Sequence, residues 1–375
     1  MAIALVIVII IFSVTTNGTI LLSQNINNLL SQNAYVFVLG TGMLLCILTG
    51  GNIDLSVGSV VAFVGGIGAV LMQRGTNAFV AAIVMIIAGG LVGAWQAFWV
   101  AYVNVPPFIA TLAGMYAFRG LANVVLQGYA VSISNKTFLN VFGGGADCYV
   151  PDFFGGSGLN ITCMAFGIIA VLVYLFIQIR GRVSAVRKGY SVKSAGGFYA
   201  QSVIISVVIL FLSYKLAGYK GIPSSLLWIV GVILLYFFIT TRTKIGRYLY
   251  AVGGNEKATQ LSGINTKRVY FFAYTNMGIL TGLASILTVA RAASAQPTYG
   301  NMYEMDAIGA CFIGGASAYG GTGSVFGTII GALLLGVINQ GMSIMGVDAN
   351  YQKVVKGLVL LAAVIFDVLS KREKK

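Results

Sequence analysis

Few side chains in this sequence can do chemistry, and most of those lie within or beside long apolar runs. Asp54 falls in Gly50-Gly51-Asn52-Ile53-Asp54-Leu55-Ser56-Val57-Gly58-Ser59, and Glu304 and Asp306 in Asn301-Met302-Tyr303-Glu304-Met305-Asp306. A carboxylate in such surroundings is costly unless it is paired, caps a helix or serves a transport pathway. Asp54 can cap the helix that follows it or take part in a passage, and Glu304 and Asp306, at the head of the next apolar run, carry the same two readings. Trp95, Gln96, Asn339 and Gln340, with Asn52, are the other candidate passage residues, since aromatic platforms beside amides suit sugar hydroxyls. Hydrogen bonds between helices account for the same amides equally well.

Other chemistries are excluded by what is missing. The 375 residues contain no histidine, which removes His-based metal sites, Ser–His and Cys–His nucleophile pairs and imidazole proton shuttles. No Asp follows a Gly, which argues against an intramembrane aspartyl hydrolase, and the four cysteines form no Cys-x-x-Cys motif. No catalytic residue and no metal site is expected. The chain also lacks a Gly-Lys dipeptide and hence a Walker A motif, so any ATP must be handled by another subunit.

The elements that position these groups are membrane helices. Hydrophobic residues make up 58% of the chain and charged residues 9%, against about 25% charged in soluble domains. The net charge of +14 sits in loops between apolar runs, which suits a membrane bearing anionic lipid and not a nucleic acid. Spans of about 20 residues are expected near 2–15, 34–50, 56–73, 79–103, 108–126, 161–179, 200–217, 224–241, 269–291, 304–318, 324–343 and 354–370, an all-α polytopic fold of about 10–12 helices. The first run is read as an anchor helix. Gly89/Gly93, Gly278/Gly282 and Gly327/Gly331 have the spacing of close helix packing.

Lys and Arg concentrate in 180–193 (Arg180, Arg182, Arg187, Lys188, Lys193), in 242–268 and in the tail (Lys371, Arg372, Lys374, Lys375), which together hold 15 of the 23. The excess of positive charge places these three segments, and the C-terminus, in the cytoplasm. Segment 127–160 then becomes an extracytoplasmic insertion, in which Cys148 can pair with nearby Cys163 or remain an unrelated thiol. Residues 1–375 are expected to form one transmembrane domain.

Two stretches break the helical pattern: Gly50 to Ser59, and Gly314-Gly315-Ala316-Ser317-Ala318-Tyr319-Gly320-Gly321-Thr322-Gly323-Ser324. Both run from apolar helix through paired glycines and polar residues into a small-residue helix. Interrupted helices in corresponding positions point to a translocation pathway. In the 242–268 loop, Gly253 and Gly254 precede a short helix with Asn255 as N-cap, Glu256 in the first turn, an Ala258/Leu261 apolar pair and Gly263 at the left-handed C-terminal position. A solvated loop needs none of these, so the helix is read as a docking element, at which substituting Gly254 or Glu256 should uncouple transport.

Five ordered motifs resemble the permease subunits of ABC monosaccharide importers, the ribose, galactose and xylose group. They are Gly51 to Ser59, Asn104 to Leu112, Ala251 to Gly263, Met302 to Ile308 and Gly314 to Gly327. The helix pair around 180–240 looks most like the xylose or multiple-sugar branch. The resemblance implies a homodimer in a bacterial inner membrane that binds no cofactor itself. It also implies a cytoplasmic ATPase using ATP and Mg at Gly253 to Gly263, an extracytoplasmic sugar-binding protein and a monosaccharide substrate. Permeation of a nucleoside or branched-chain amino acid, and a self-sufficient secondary transporter, are the competing readings.

Overall fold

The computed structural model describes residues 2–156, 158–190 and 194–372; Lys193, Lys374 and Lys375 of the basic segments lie outside the described residues. The chain is almost wholly helical: α1 (Ala2–Thr15), α2 (Ser23–Gln32), α3 (Ala34–Leu48), α4 (Val57–Gln73), α5 (Ala78–Ala101), α6 (Pro107–Leu126), α7 (Lys136–Phe142), α8 (Ile161–Arg187), α9 (Ala195–Ala217), α10 (Ser224–Arg242), α11 (Lys244–Gly254), α12 (Glu256–Leu261), α13 (Thr266–Ala292), α14 (Tyr303–Ile313), α15 (Val325–Ile344) and α16 (Ala349–Arg372). Seven of them (α5, α6, α8, α9, α10, α13 and α15) are long and apolar enough to cross a membrane, and α2 with α3, broken at Asn33, makes an eighth. The expected 10–12 is approached only by adding shorter helices. α3, α4 and α14 have 15, 17 and 11 residues, because the glycine-rich runs cut them below the roughly 20 of a full span.

The chain folds as two compact units. The larger comprises Met1–Ile20, Leu29–Cys148 and Ser224–Lys375. At its centre α3 is buried on every side, from Val36 to Leu48, which explains an apolar sequence with no polar face. α13 packs against it and against α4 and α5. The α5–α13 seam is built from both glycine pairs: a Cβ on Gly93 would lie 2.8 Å from the Gly278 Cα, and one on Gly89 2.9 Å from the Gly282 Cα. Only glycine permits that approach. A two-residue ribbon, β1 (Val131–Ser132) with β2 (Ser294–Ala295), joins the segments that leave α6 and α13 in antiparallel register, Val131 opposite Ala295.

The internal echo has a structural counterpart. α3 and α14 each end in a glycine turn with positive φ (Gly50 at 126° and Gly51 at 76°; Gly315 at 89°), and α4 and α15 each follow a serine N-cap, Ser56 and Ser324.

The smaller unit comprises Leu21–Asn28 and Tyr149–Pro223, dominated by the antiparallel pair α8 and α9. At the start of α8, Asp152 accepts bonds from Phe154 N, Gly156 N, Ile161 N, Thr162 N and Thr162 Oγ1 at 2.9–3.2 Å. Desolvation pushes its carboxyl up, but the bonds from Gly156, Ile161 and Thr162 outweigh it and hold the group well below the usual carboxylate range. The stretch 127–160 is therefore not one body, since 127–148 belongs to the larger unit and 149–160 to the smaller. Cys148 and Cys163 are thiols and not a disulfide; Cys163 Sγ donates to the Ser213 carbonyl at 3.5 Å.

Candidate functional site

Three backbone segments converge in the larger unit: the end of α3, the second glycine break and the end of α11. Gly321 N donates to the Leu48 carbonyl at 3.1 Å. A Cβ on Gly51 would overlap the Ala318 carbonyl oxygen, one on Gly320 would overlap Gly50, and one on Gly253 would overlap the Leu48 carbonyl oxygen. Tyr250, one turn before Gly253, donates its hydroxyl to the Gly323 carbonyl at 2.9 Å. Burial raises that phenol above its ordinary value, so it remains a donor at neutral pH. Asp367 of α16 accepts from Ala318 N at 3.3 Å. Both breaks and α11 therefore meet backbone to backbone at Gly51, Gly253 and Gly320, with Tyr250 and Asp367 bonded to the second break.

From this junction the chain passes directly into α12. Asn255 Oδ1 accepts from Ala258 N at 3.0 Å, and Gly263, at φ 81°, ends the turn that follows. Both caps stand where local sequence places them. Glu256 Oε2 accepts from the Tyr270 hydroxyl at 3.0 Å and joins α12 to α13. Glu256, Gln260 and Tyr270 line a cavity of about 210 Å³ together with Asn52 and Asn104. Ala258 is exposed and Leu261 is 90% exposed, so the apolar pair of α12 faces outward.

The candidate passage residues divide into three groups. Asp54 and Gln96 belong to one buried chain: Asp54 Oδ1 accepts from Ser56 N at 2.8 Å and Ser56 Oγ at 2.6 Å, and Gln96 Nε2 donates to Ser56 Oγ at 2.6 Å. The helix this turn leads into begins at Val57, two residues beyond the expected Leu55. Asp306, 2% exposed, is ion-paired to Lys356 of α16 at 3.0 Å and accepts from the Tyr35 hydroxyl at 2.7 Å. Tyr35 in turn stacks on Tyr303 with centroids 3.5 Å apart. Half-buried Glu304 reaches toward Gly58, where α4 begins against the Gly300 backbone.

Trp95 is 44% exposed and sits edge-on to Trp99 and Phe118, part of an aromatic row on the outer face of α5. Asn339 and Gln340 lie on α15, which packs chiefly on α1, α3 and α14, whereas α5 packs on α13, α4 and α6. The structure therefore does not bring the α15 amides to Trp95 and Gln96. Tyr250, Tyr35, Asp367 and Lys356 were not singled out from sequence. Lys356 and Asp367 did carry a signal, as a cation and a carboxylate inside the apolar run 354–370.

Apolar helices interrupted by irregular backbone, beside a short capped helix with an exposed apolar pair, give the class of the protein, a membrane permease subunit. The chain belongs to the family described as the permease component of branched-chain amino acid transport systems, which matches residues 25–364. It is 35% identical over 370 residues to the xylose transport system permease protein XylH of Escherichia coli (strain K12), covering 98% of this chain and 91% of the relative. Identity to the protein of the same name from Haemophilus influenzae is 37% over 374 residues, covering 100% and 96%. The ribose import permease protein RbsC of Escherichia coli (strain K12) is 34% identical over 366 residues, covering 97% and 92%. No solved structure matches.

Proposed function

We propose that this chain is the membrane subunit of an ATP-driven importer that carries a monosaccharide, xylose or a related sugar, inward by alternating access. Its relatives are named for xylose and ribose transport, which favours sugar over the amino acids in the family description. The subunit acts as a homodimer in a bacterial inner membrane with its C-terminus in the cytoplasm. A cytoplasmic ATPase supplies ATP and Mg chemistry, and an extracytoplasmic binding protein delivers the sugar.

The observation that carries the mechanism is the seating of Gly253 on Leu48, beside Gly321. Closure of the ATPase pair pushes on α12 through Leu261 and Ala258. The push passes into α11 and reaches both glycine breaks at once, because at these glycines backbone bears directly on backbone. α3 with α4 and α14 with α15 then re-orient about their breaks. Of the passage residues, half-buried Asn52, which lines the cavity beside Glu256 and Tyr270, meets the sugar, while Asp54, Gln96 and Asp306 brace the frame through their internal bonds and Trp95 stays on the outer face of α5. A carboxylate already paired with Lys356 is a poor coupling group for a secondary transporter.

The test is reconstitution of the full chain in proteoliposomes with the ATPase and binding protein that co-purify from gently solubilised membranes. Uptake of labelled xylose or ribose that needs internal ATP supports the reading. Uptake driven by an ion gradient without ATP overturns the importer, and ATP-driven uptake of leucine in preference to sugar overturns the cargo.

A further inference from the structure

The fold disperses the aromatic and amide groups of Trp95, Gln96, Asn339 and Gln340, but the same chemistry gathers elsewhere. Within the larger unit, where the bend between α2 and α3 meets the last turns of α13, Gln32, Tyr35, Thr288, Arg291, Tyr299 and Tyr303 line a cleft of about 170 Å³. The three tyrosines are half-buried, and Gln32 is exposed. Their rings are fixed by bonds outside the cleft. Tyr35 donates its hydroxyl to Asp306 at 2.7 Å, and its ring stacks on Tyr303 with 3.5 Å between centroids and 10° between planes. The Tyr299 hydroxyl shares a bond with Ser294 Oγ at 3.0 Å. Arg119 Nη1 donates to the Pro297 and Tyr299 carbonyls at 2.7 and 2.8 Å, which holds the segment that carries Tyr299. Tyrosines that merely anchor a chain at a membrane surface keep their hydroxyls toward water. A hydroxyl turned instead to a buried ion pair makes Tyr35 part of a built wall.

The lining selects a neutral ligand with one apolar face and a rim of hydroxyls. Aromatic faces attract polarised C–H bonds, while an amide and a threonine hydroxyl offer donors and acceptors together. An amino acid would need a carboxylate for its ammonium group, and no Asp or Glu is among the lining residues; Arg291 is already engaged. We propose that this cleft is the outer sugar subsite, in which a monosaccharide lies against Tyr299 and Tyr303 with hydroxyls on Gln32 and Thr288. The cargo, and the assignment of this end of α13 to the outside, rest on the importer reading.

The test uses the full chain purified in mild detergent, with xylose as the probe and leucine as the comparison, read by saturation-transfer difference NMR. Saturation should pass to the xylose ring protons and not to leucine. Y299A should raise the half-saturating xylose concentration at least tenfold, through loss of the ring's area and its π face. Q32A should raise it about fivefold, the scale of one neutral hydrogen bond. Both should keep the wild-type melting temperature, and W95F on the outer face of α5 should change nothing. Absence of transfer to xylose, equal transfer to leucine, or a half-saturation that Y299A and Q32A leave unchanged overturns the subsite. The measurement needs neither ATPase nor binding protein, so it fails separately from the importer reading. ATP-driven xylose uptake by a chain whose binding ignores both substitutions removes the subsite alone. Xylose binding that both substitutions weaken, in a chain whose uptake ignores ATP, removes the importer alone.

Discussion

Gly253 lies so close to the carbonyl oxygen of Leu48 that a single added Cβ would overlap it, whereas a Cβ on the neighbouring Gly254, pointing to another side of the helix, would meet nothing within 4 Å. Two adjacent glycines thus differ in what they tolerate. Gly253→Ala must displace backbone on two elements, a cost of about 1–3 kcal/mol or more for overpacking, and should abolish sugar uptake. Gly254→Ala, expected from the sequence alone to uncouple transport, should instead leave uptake near wild type, because its Cβ would meet nothing within 4 Å. Transport by vesicles containing each variant, normalised to protein inserted in the membrane, separates them; equal activity would detach the junction from coupling.

Leu261 is almost fully exposed at the end of a six-residue helix that carries two caps. Because its side chain is exposed, Leu261→Asp should leave folding within about 0.5 kcal/mol of wild type. If α12 docks an ATPase, the charge should cost at least tenfold in binding, since burying an unpaired carboxylate in an interface carries a penalty of several kcal/mol. Co-purification of the ATPase with the variant, at unchanged thermal midpoint of the permease, checks this. Full recovery of the ATPase would remove Leu261 from the contact.

Asp306 and Lys356 form a buried ion pair in the larger unit, at 3.0 Å with Asp306 2% exposed. Removing one partner leaves a buried charge uncompensated. Lys356→Met and Asp306→Asn should each lower stability by about 3–5 kcal/mol, and the double variant should recover most of that loss. Thermal melts in detergent of the four proteins form the cycle. Additive losses would mean that the two residues do not act together.

What was legible in the sequence was local. Asn255 and Gly263 cap α12 as expected because a cap depends on residues within three or four positions, and the Gly89/Gly93 and Gly278/Gly282 pairs meet because glycine spacing itself encodes close approach. What was not legible was tertiary. Asp306 finds Lys356 fifty residues away, and no local pattern names that partner. Which glycine of 253 and 254 touches the break depends on the rotational phase of α11, which two identical residues cannot reveal. Trp95, Gln96, Asn339 and Gln340 were grouped by type, but helix order separates α5 from α15. The spans at 34–50 and 304–318 looked long enough because composition does not register where the backbone leaves the helix.

Asp54 offers the sharpest distinction between bracing and direct contact with cargo. Its Oδ1 accepts both Ser56 N and Ser56 Oγ, and Ser56 Oγ is held in turn by Gln96. Asparagine keeps an oxygen at the same position, so Asp54→Asn should preserve the turn that leads into α4 and retain most uptake. Asp54→Ala leaves Ser56 N buried without an acceptor and should cost about 1–3 kcal/mol with a matching fall in transport. Gln96→Leu strands only one bond of the chain and should fall between the two. Uptake and melting temperature should therefore decline in step across the three variants. If Asp54→Asn abolished uptake at an unchanged melting temperature, the carboxylate charge itself would be needed, and Asp54 would belong to the passage and not to its frame.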